Sequence, residues 1–160
     1  MPFKAFLKID GIKGPSPDGD HSGWIELISL SHGLSQQGSF GKDGQLTGGT
    51  VDVHEFSVTK ELDIASPLIN EKCCTGDAIK EVIVELIAAT GKNHAFMKYT
   101  FSPCVVASVN INGGTSANKP SENVSFRFNT VKWEFTPYDN QRPGDAIRSG
   151  WDIGKGAKAS

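Results

Sequence analysis

Apolar and polar residues alternate along much of this chain with a period of two, the pattern of strands whose successive side chains point to opposite faces. Over residues 3–9, Phe3, Ala5, Leu7 and Ile9 fall on one side, Lys4 and Lys8 on the other, and Asp10-Gly11 closes the run. This predicts a first strand. Residues 24–30 (WIELISL) carry apolar side chains at both parities, as a strand covered on both faces would, and so predict a central or interfacial strand. Residues 51–62 switch parity: Val51 and Val53 are odd, whereas Phe56, Val58 and Leu62 are even. Residues 124–135 do the same, from Val124, Phe126 and Phe128 to Val131, Trp133 and Phe135. A β-bulge in each would reconcile the halves, one near His54-Glu55 and one at Asn129-Thr130. Two such strands predict a strongly bent sheet, which favours a small barrel over a flat sandwich.

One segment fits two periods. Ile79, Val82, Ile83, Leu86 and Ile87 satisfy helical spacing, yet four of these five are β-branched and Thr90-Gly91 ends the run. Another strand-like run over residues 95–106 follows, so a strand is the expectation. The helix is placed at residues 66–74, with Ser66 capping the first turn, Pro67 at the first helical position and Gly76 ending it. Residues 31–50 hold six glycines and three glutamines and exceed an ordinary hairpin loop. As a two-armed excursion they would reach about 30 Å, roughly ten residues at 3.3 Å each; the alternative is a disordered or back-folded flap. Residues 110–121 read as a shorter glycine-rich turn. The predicted fold is therefore all-β: a small closed or nearly closed β-barrel of two bent antiparallel sheets, with one short flanking α-helix and a long protruding loop.

Composition fits one domain over residues 1–160, since 38% hydrophobic and 21% charged residues are close to globular averages. A net charge of −2 lacks the basic footprint of a nucleic-acid binder. The first residues offer no uninterrupted apolar region of the kind an export signal needs. The longest mostly apolar stretch, residues 82–89, is interrupted by Glu85 and is too short to span a bilayer. Three cysteines, two of them adjacent at Cys73 and Cys74, neither complete a disulfide set nor provide zinc-ligand spacing. They read as free thiols of a reducing compartment.

Candidate chemistry fails on inspection. Gly41-Lys42 suggests a phosphate cradle, but Gln36 and Asp43 stand where a P-loop needs glycine and a hydroxyl residue. No G-x-S-x-G elbow exists. Asp52 and His54 share a strand face and could begin a two-histidine, one-carboxylate iron site, but no second histidine has sequence support; a surface hydrogen-bonded histidine is the alternative. Glu81 and Glu85 could mimic a glycosidase pair, with solvated strand charges as the alternative. Asn123-Val124-Ser125 matches a glycosylation sequon but opens a strand. Trp24, Trp133 and Trp151 read as core or interface anchors. No catalytic, cofactor or metal residues are assigned.

Longer strings carry more information: FLKIDGIKG at residues 6–14, VDVHEFSVTKELDIASP at 51–67, CCTG at 73–76, IKEVIVEL at 79–86 and GWDI at 150–153. In order and spacing, from Lys8 to Lys155, the chain resembles the Hcp (haemolysin-coregulated protein) family of type VI secretion tube subunits. The resemblance implies a structural, non-enzymatic protein that forms homo-hexameric rings, which stack into a hollow tube. It implies partners too: other rings, effector proteins carried in the lumen, and spike and sheath components of the secretion machine. It also implies synthesis in the bacterial cytoplasm and secretion without a cleavable signal peptide. In the family the long loop touches neighbouring subunits or the next ring, which makes Gln36, Gln37, Gly38, Ser39, Phe40, Gly41, Lys42, Asp43, Gly44, Gln45 and Leu46 the interface candidates. The competing reading is a monomeric ligand- or carbohydrate-binding β-barrel module, with Trp24 or Trp133 as a sugar platform.

Overall fold

The computed structural model describes residues 3–90, 92–116, 118–139 and 142–159. Its first strand, β1 (Phe3–Ile9), follows the predicted bounds. Ala5, Leu7 and Ile9 are buried, but Phe3 is 56% exposed and Phe6, from the opposite face, is buried instead. The reason lies outside the strand: the His21 ring stacks on Phe6 at 4.6 Å between centroids.

The run predicted as one central strand is broken into β2 (Ile25–Leu27) and β3 (Ser29–Ser31). Strand β2 pairs with β1, whereas β3 pairs with a different segment, Ser57 to Thr59. The break falls at Ile28, whose N–H donates to the Thr59 carbonyl at 2.7 Å and whose side chain is 60% exposed. Apolar residues at both parities therefore mark a hand-over between strands and not a doubly covered one. The chain next forms β4 (Leu34–Gln36), β5 (Ser39–Phe40), β6 (Leu46–Thr47) and β7 (Val51–Val53), then β8 (Phe56–Glu61). The parity switch at His54-Glu55 is a strand break, not a bulge. Strand β7 pairs with β4, and β8 pairs with β3.

Helix α1 (Ser66–Thr75) follows. Ala65 occupies its N-cap position without a side-chain cap, because the Ser66 hydroxyl is engaged elsewhere: it accepts from the Asp63 N–H at 3.0 Å and donates to Glu122 at 2.7 Å. At the other end Gly76 adopts φ 71° and its N–H donates to the Lys72 carbonyl, the left-handed stop that favours glycine. The ambiguous run is a strand, β9 (Val82–Thr90), followed by β10 (Lys92–Asn112) and β11 (Ser121–Phe135). Short strands β12 (Tyr138–Asp139) and β13 (Arg142–Pro143) pair with each other, and β14 (Ile147–Asp152) and β15 (Ala157–Lys158) finish the chain.

Among the described residues nine strands join in one antiparallel sheet, accompanied by three two-stranded pairs, in place of the two sheets expected. The path β15-β14-β11-β10-β9-β1-β2 is continued covalently through Ile28 to β3, which pairs with β8 and so returns to β11. The hydrogen-bonded sheet itself stays open. The expected bulge at Asn129-Thr130 is absent, because the β10–β11 register is unchanged from Met97↔Phe135 to Val106↔Phe126. The shifts lie in β10 instead, around Phe96 against β9 and around Ala107 against β11. What changes near Asn129 is the neighbour on the far edge of β11: β8 over Ser121 to Phe126 and β14 over Thr130 to Phe135. The buried parity changes at the same place, from Glu122, Val124 and Phe126 to Val131.

The core lies inside this bend. Phe56 stacks on Phe101 at 4.0 Å and on Phe126 at 4.6 Å, both within 8° of parallel. Burial of each ring contributes about 1.5–3 kcal/mol.

Candidate assembly interface

The expected two-armed excursion is present and internally paired. Strand β4 bonds β7 in the register Leu34↔Val53 to Gln36↔Val51, and β5 bonds β6 with Phe40 opposite Leu46. Between the two ladders the backbone pairing lapses and the Gln36 side chain replaces it. Its Nε2 donates to the Gly49 carbonyl at 3.2 Å and its Oε1 accepts from the Gly49 N–H at 2.9 Å. A Cβ on Gly49 would lie 2.7 Å from the Gln37 carbonyl oxygen, so this close approach requires glycine. The tip closes over Gly41, Lys42, Asp43, Gly44 and Gln45. Gly41 N–H donates to the Gln45 carbonyl, Gly44 N–H to the Gly41 carbonyl, and Gln45 N–H to Asp43 Oδ1. Gly44 has φ 76°.

Residues Gln36, Gln37, Gly38, Ser39, Phe40, Gly41, Lys42, Asp43, Gly44, Gln45 and Leu46 are thus gathered on one hairpin, all exposed. Phe40 and Leu46 are 75% and 65% exposed. A cross-strand apolar pair left in solvent at a hairpin tip suits contact with another surface. At the base of the arm a groove of about 610 Å³ is lined by Leu34, Val51, Val53, Trp133, Trp151 and Ile153 among others.

The root of the arm is held where β11 changes neighbours. His54 N–H donates to the Gly33 carbonyl at 2.9 Å. A Cβ on Gly33 would meet His54 Nδ1 at 3.0 Å. His32 packs among Tyr99, Phe101, Phe128 and Trp133, and Trp133 Nε1–H donates to its Nε2 at 3.4 Å. Burial first, and the charge on His54 second, push the His32 imidazole below the usual histidine value of 6.5.

The rejected chemical constellations take definite places. Asp52 Oδ2 and Ser35 Oγ both approach the same His54 nitrogen, Nε2, at 3.6 and 3.3 Å. A serine relay needs its nucleophile and its carboxylate on opposite ring nitrogens, so this trio cannot act as one. Among the described residues no three His, Cys, Asp or Glu side chains gather as a metal site. Glu81 and Glu85 do not act as a pair of solvated strand charges: Glu85 bonds the buried His21 Nε2 at 2.7 Å. Cys104 is buried and its thiol is pushed up to about 12, chiefly by desolvation.

Sequence reasoning missed the buried ion cluster under α1. Lys60 ion-pairs with Glu122, its register partner across β8 and β11, and reaches Asp63 Oδ1 at 3.1 Å and Ser66 Oγ at 3.1 Å. Both Lys60 and Glu122 are buried. The signal was present: Lys60 falls in phase with Phe56 and Val58, and Glu122 with Val124 and Phe126.

These features first define a class, a β-rich protein whose prominent surface is a projecting hairpin arm. The family model of the type VI secretion system effector, Hcp, matches residues 6–135, and the chain belongs to that family. Protein hcp1 of Pseudomonas aeruginosa is 29% identical over 162 residues, covering 99% of this chain and 100% of that protein. A solved structure of a type six secretion system protein matches with a TM-score of 0.93 at 28% identity, covering 99% of this chain and 100% of that one. Hcp1 from Salmonella typhimurium matches with a TM-score of 0.83 at 30% identity over 99% and 100% of the two chains. The function is accordingly that of a type VI secretion tube and effector protein, in a family of structural secreted proteins. Among the described residues no helix is long and apolar enough to cross a membrane.

Proposed function

We propose that this chain, as one domain over residues 1–160, is the ring-forming subunit of the secretion tube. Six copies close into a ring, rings stack into a hollow tube, and effector proteins ride in the lumen. The subunit carries out no catalysis of its own, its partners include spike and sheath components, and it leaves the cytoplasm through the machine that it helps to build. The arm from Gln36 to Leu46 makes the contacts between copies.

One observation carries this reading: an internally hydrogen-bonded arm whose apolar pair, Phe40 and Leu46, faces solvent in the isolated subunit. A surface of that kind on one part of the molecule, meeting a different part of the next copy, generates rings or filaments. Light scattering on the purified chain tests it. The expected mass is about six times that of the 17.1 kDa subunit; a species that stays at the subunit mass at high concentration overturns it and favours the monomeric binding module.

A further inference from the structure

His32 sits between β3 and β4, at the point where the chain leaves the sheet for the arm. Trp133 is a donor only, so its Nε1–H fixes His32 Nε2 as the acceptor. The neutral ring therefore carries its proton on Nδ1, which is buried without a partner. Any further proton must go to Nε2. That step removes the acceptor of Trp133 and sets two N–H groups against each other.

The groups facing His32 are Tyr99 and Phe101 from β10, Phe128 and Trp133 from β11, and His54 from the returning side of the arm. Tyr99 and His54 are the titratable ones, and neither supplies a carboxylate to stabilise an imidazolium. Asp52 stands beyond His54, 3.6 Å from its Nε2, and does not bond to His32. His32 immediately precedes Gly33, whose carbonyl accepts from the His54 N–H in the bond that ties the arm's two sides together.

We propose that His32 forms an acid-sensitive hinge: protonation of its Nε2 breaks its bond to Trp133 and releases the arm from the sheet. The direction follows from burial. The closed arm holds His32 neutral below the usual 6.5, whereas an open arm lets it bind a proton near that value. Closure is therefore favoured above about pH 6.5 and weakens as the pH falls below it. This inference does not depend on ring formation.

Hydrogen exchange on the full chain, corrected for the intrinsic pH dependence of exchange, tests it by comparing arm amides 34–53 with those of β9–β11. From about pH 7.5 to about pH 5, arm protection is expected to fall at least about tenfold more than sheet protection. In His32→Gln, whose side-chain oxygen can still accept from Trp133 but does not titrate, the differential fall should vanish. Equal falls in arm and sheet, or an unchanged differential in the variant, overturn the proposal. A measurement without any variant is the NMR titration of the His32 ring. A midpoint below 6.5 supports the hinge, while a midpoint at or above it means that the aromatic rings stabilise the imidazolium as a cation, and the proposal fails.

Discussion

The seam between β8 and β11 and the hairpin arm are both antiparallel ladders, but they bury opposite things. Along the seam, Phe56↔Phe126, Val58↔Val124 and Lys60↔Glu122 are directly paired and all six side chains are buried. Along the arm, Phe40↔Leu46 and Gln36↔Val51 are paired with no sheet behind Phe40 or Leu46. Backbone pairing is the same in the two regions. The difference is what lies on the faces, and it separates a part that holds the subunit together from a part free to meet another molecule.

The largest effect is expected where a charge would be stranded in the seam. Lys60→Met leaves Glu122 buried without its cation and should cost about 3–5 kcal/mol of global stability, measured as a lower midpoint in urea denaturation. A normal midpoint would show that Glu122 finds another partner. Next comes Gly49→Ala, whose Cβ would meet the Gln37 carbonyl oxygen at 2.7 Å. It should loosen the arm by about 1–3 kcal/mol, seen as faster exchange of arm amides with the seam unchanged.

Deleting residues 38–44 should change the stability of the sheet by no more than about 0.5 kcal/mol while abolishing or weakening association, read by light scattering. Unfolding on deletion would instead make the arm part of the core. The smallest effect separates the thiols. Cys74 is exposed, whereas Cys104 is buried with its thiol at about 12. A thiol reagent near neutral pH should modify Cys74 readily and leave Cys104 intact in the folded chain, as peptide mass spectrometry would report.

Strand β1, the strand choice for β9, the stop of α1 at Gly76 and the exposure of the glycine-rich excursion were all legible in the chain, because each depends on neighbours within a few residues. Alternation and β-branching set the strands, and a left-handed glycine ends a helix whatever surrounds it. The family was legible too, from long ordered strings such as those at residues 6–14 and 51–67. The parity switches were visible but not their cause. At His54-Glu55 the chain passes from the arm to the sheet, and near Asn129 strand β11 exchanges β8 for β14; a bulge would leave the same trace in the sequence.

Only the tertiary structure decided that Phe6 is covered by His21, that the Ser66 hydroxyl leaves its helix end for Glu122, and that Lys60 and Glu122 face each other across 62 positions of chain. Each of these depends on partners far away in sequence, and a pattern of local residues determines which face a side chain takes but not what stands opposite it.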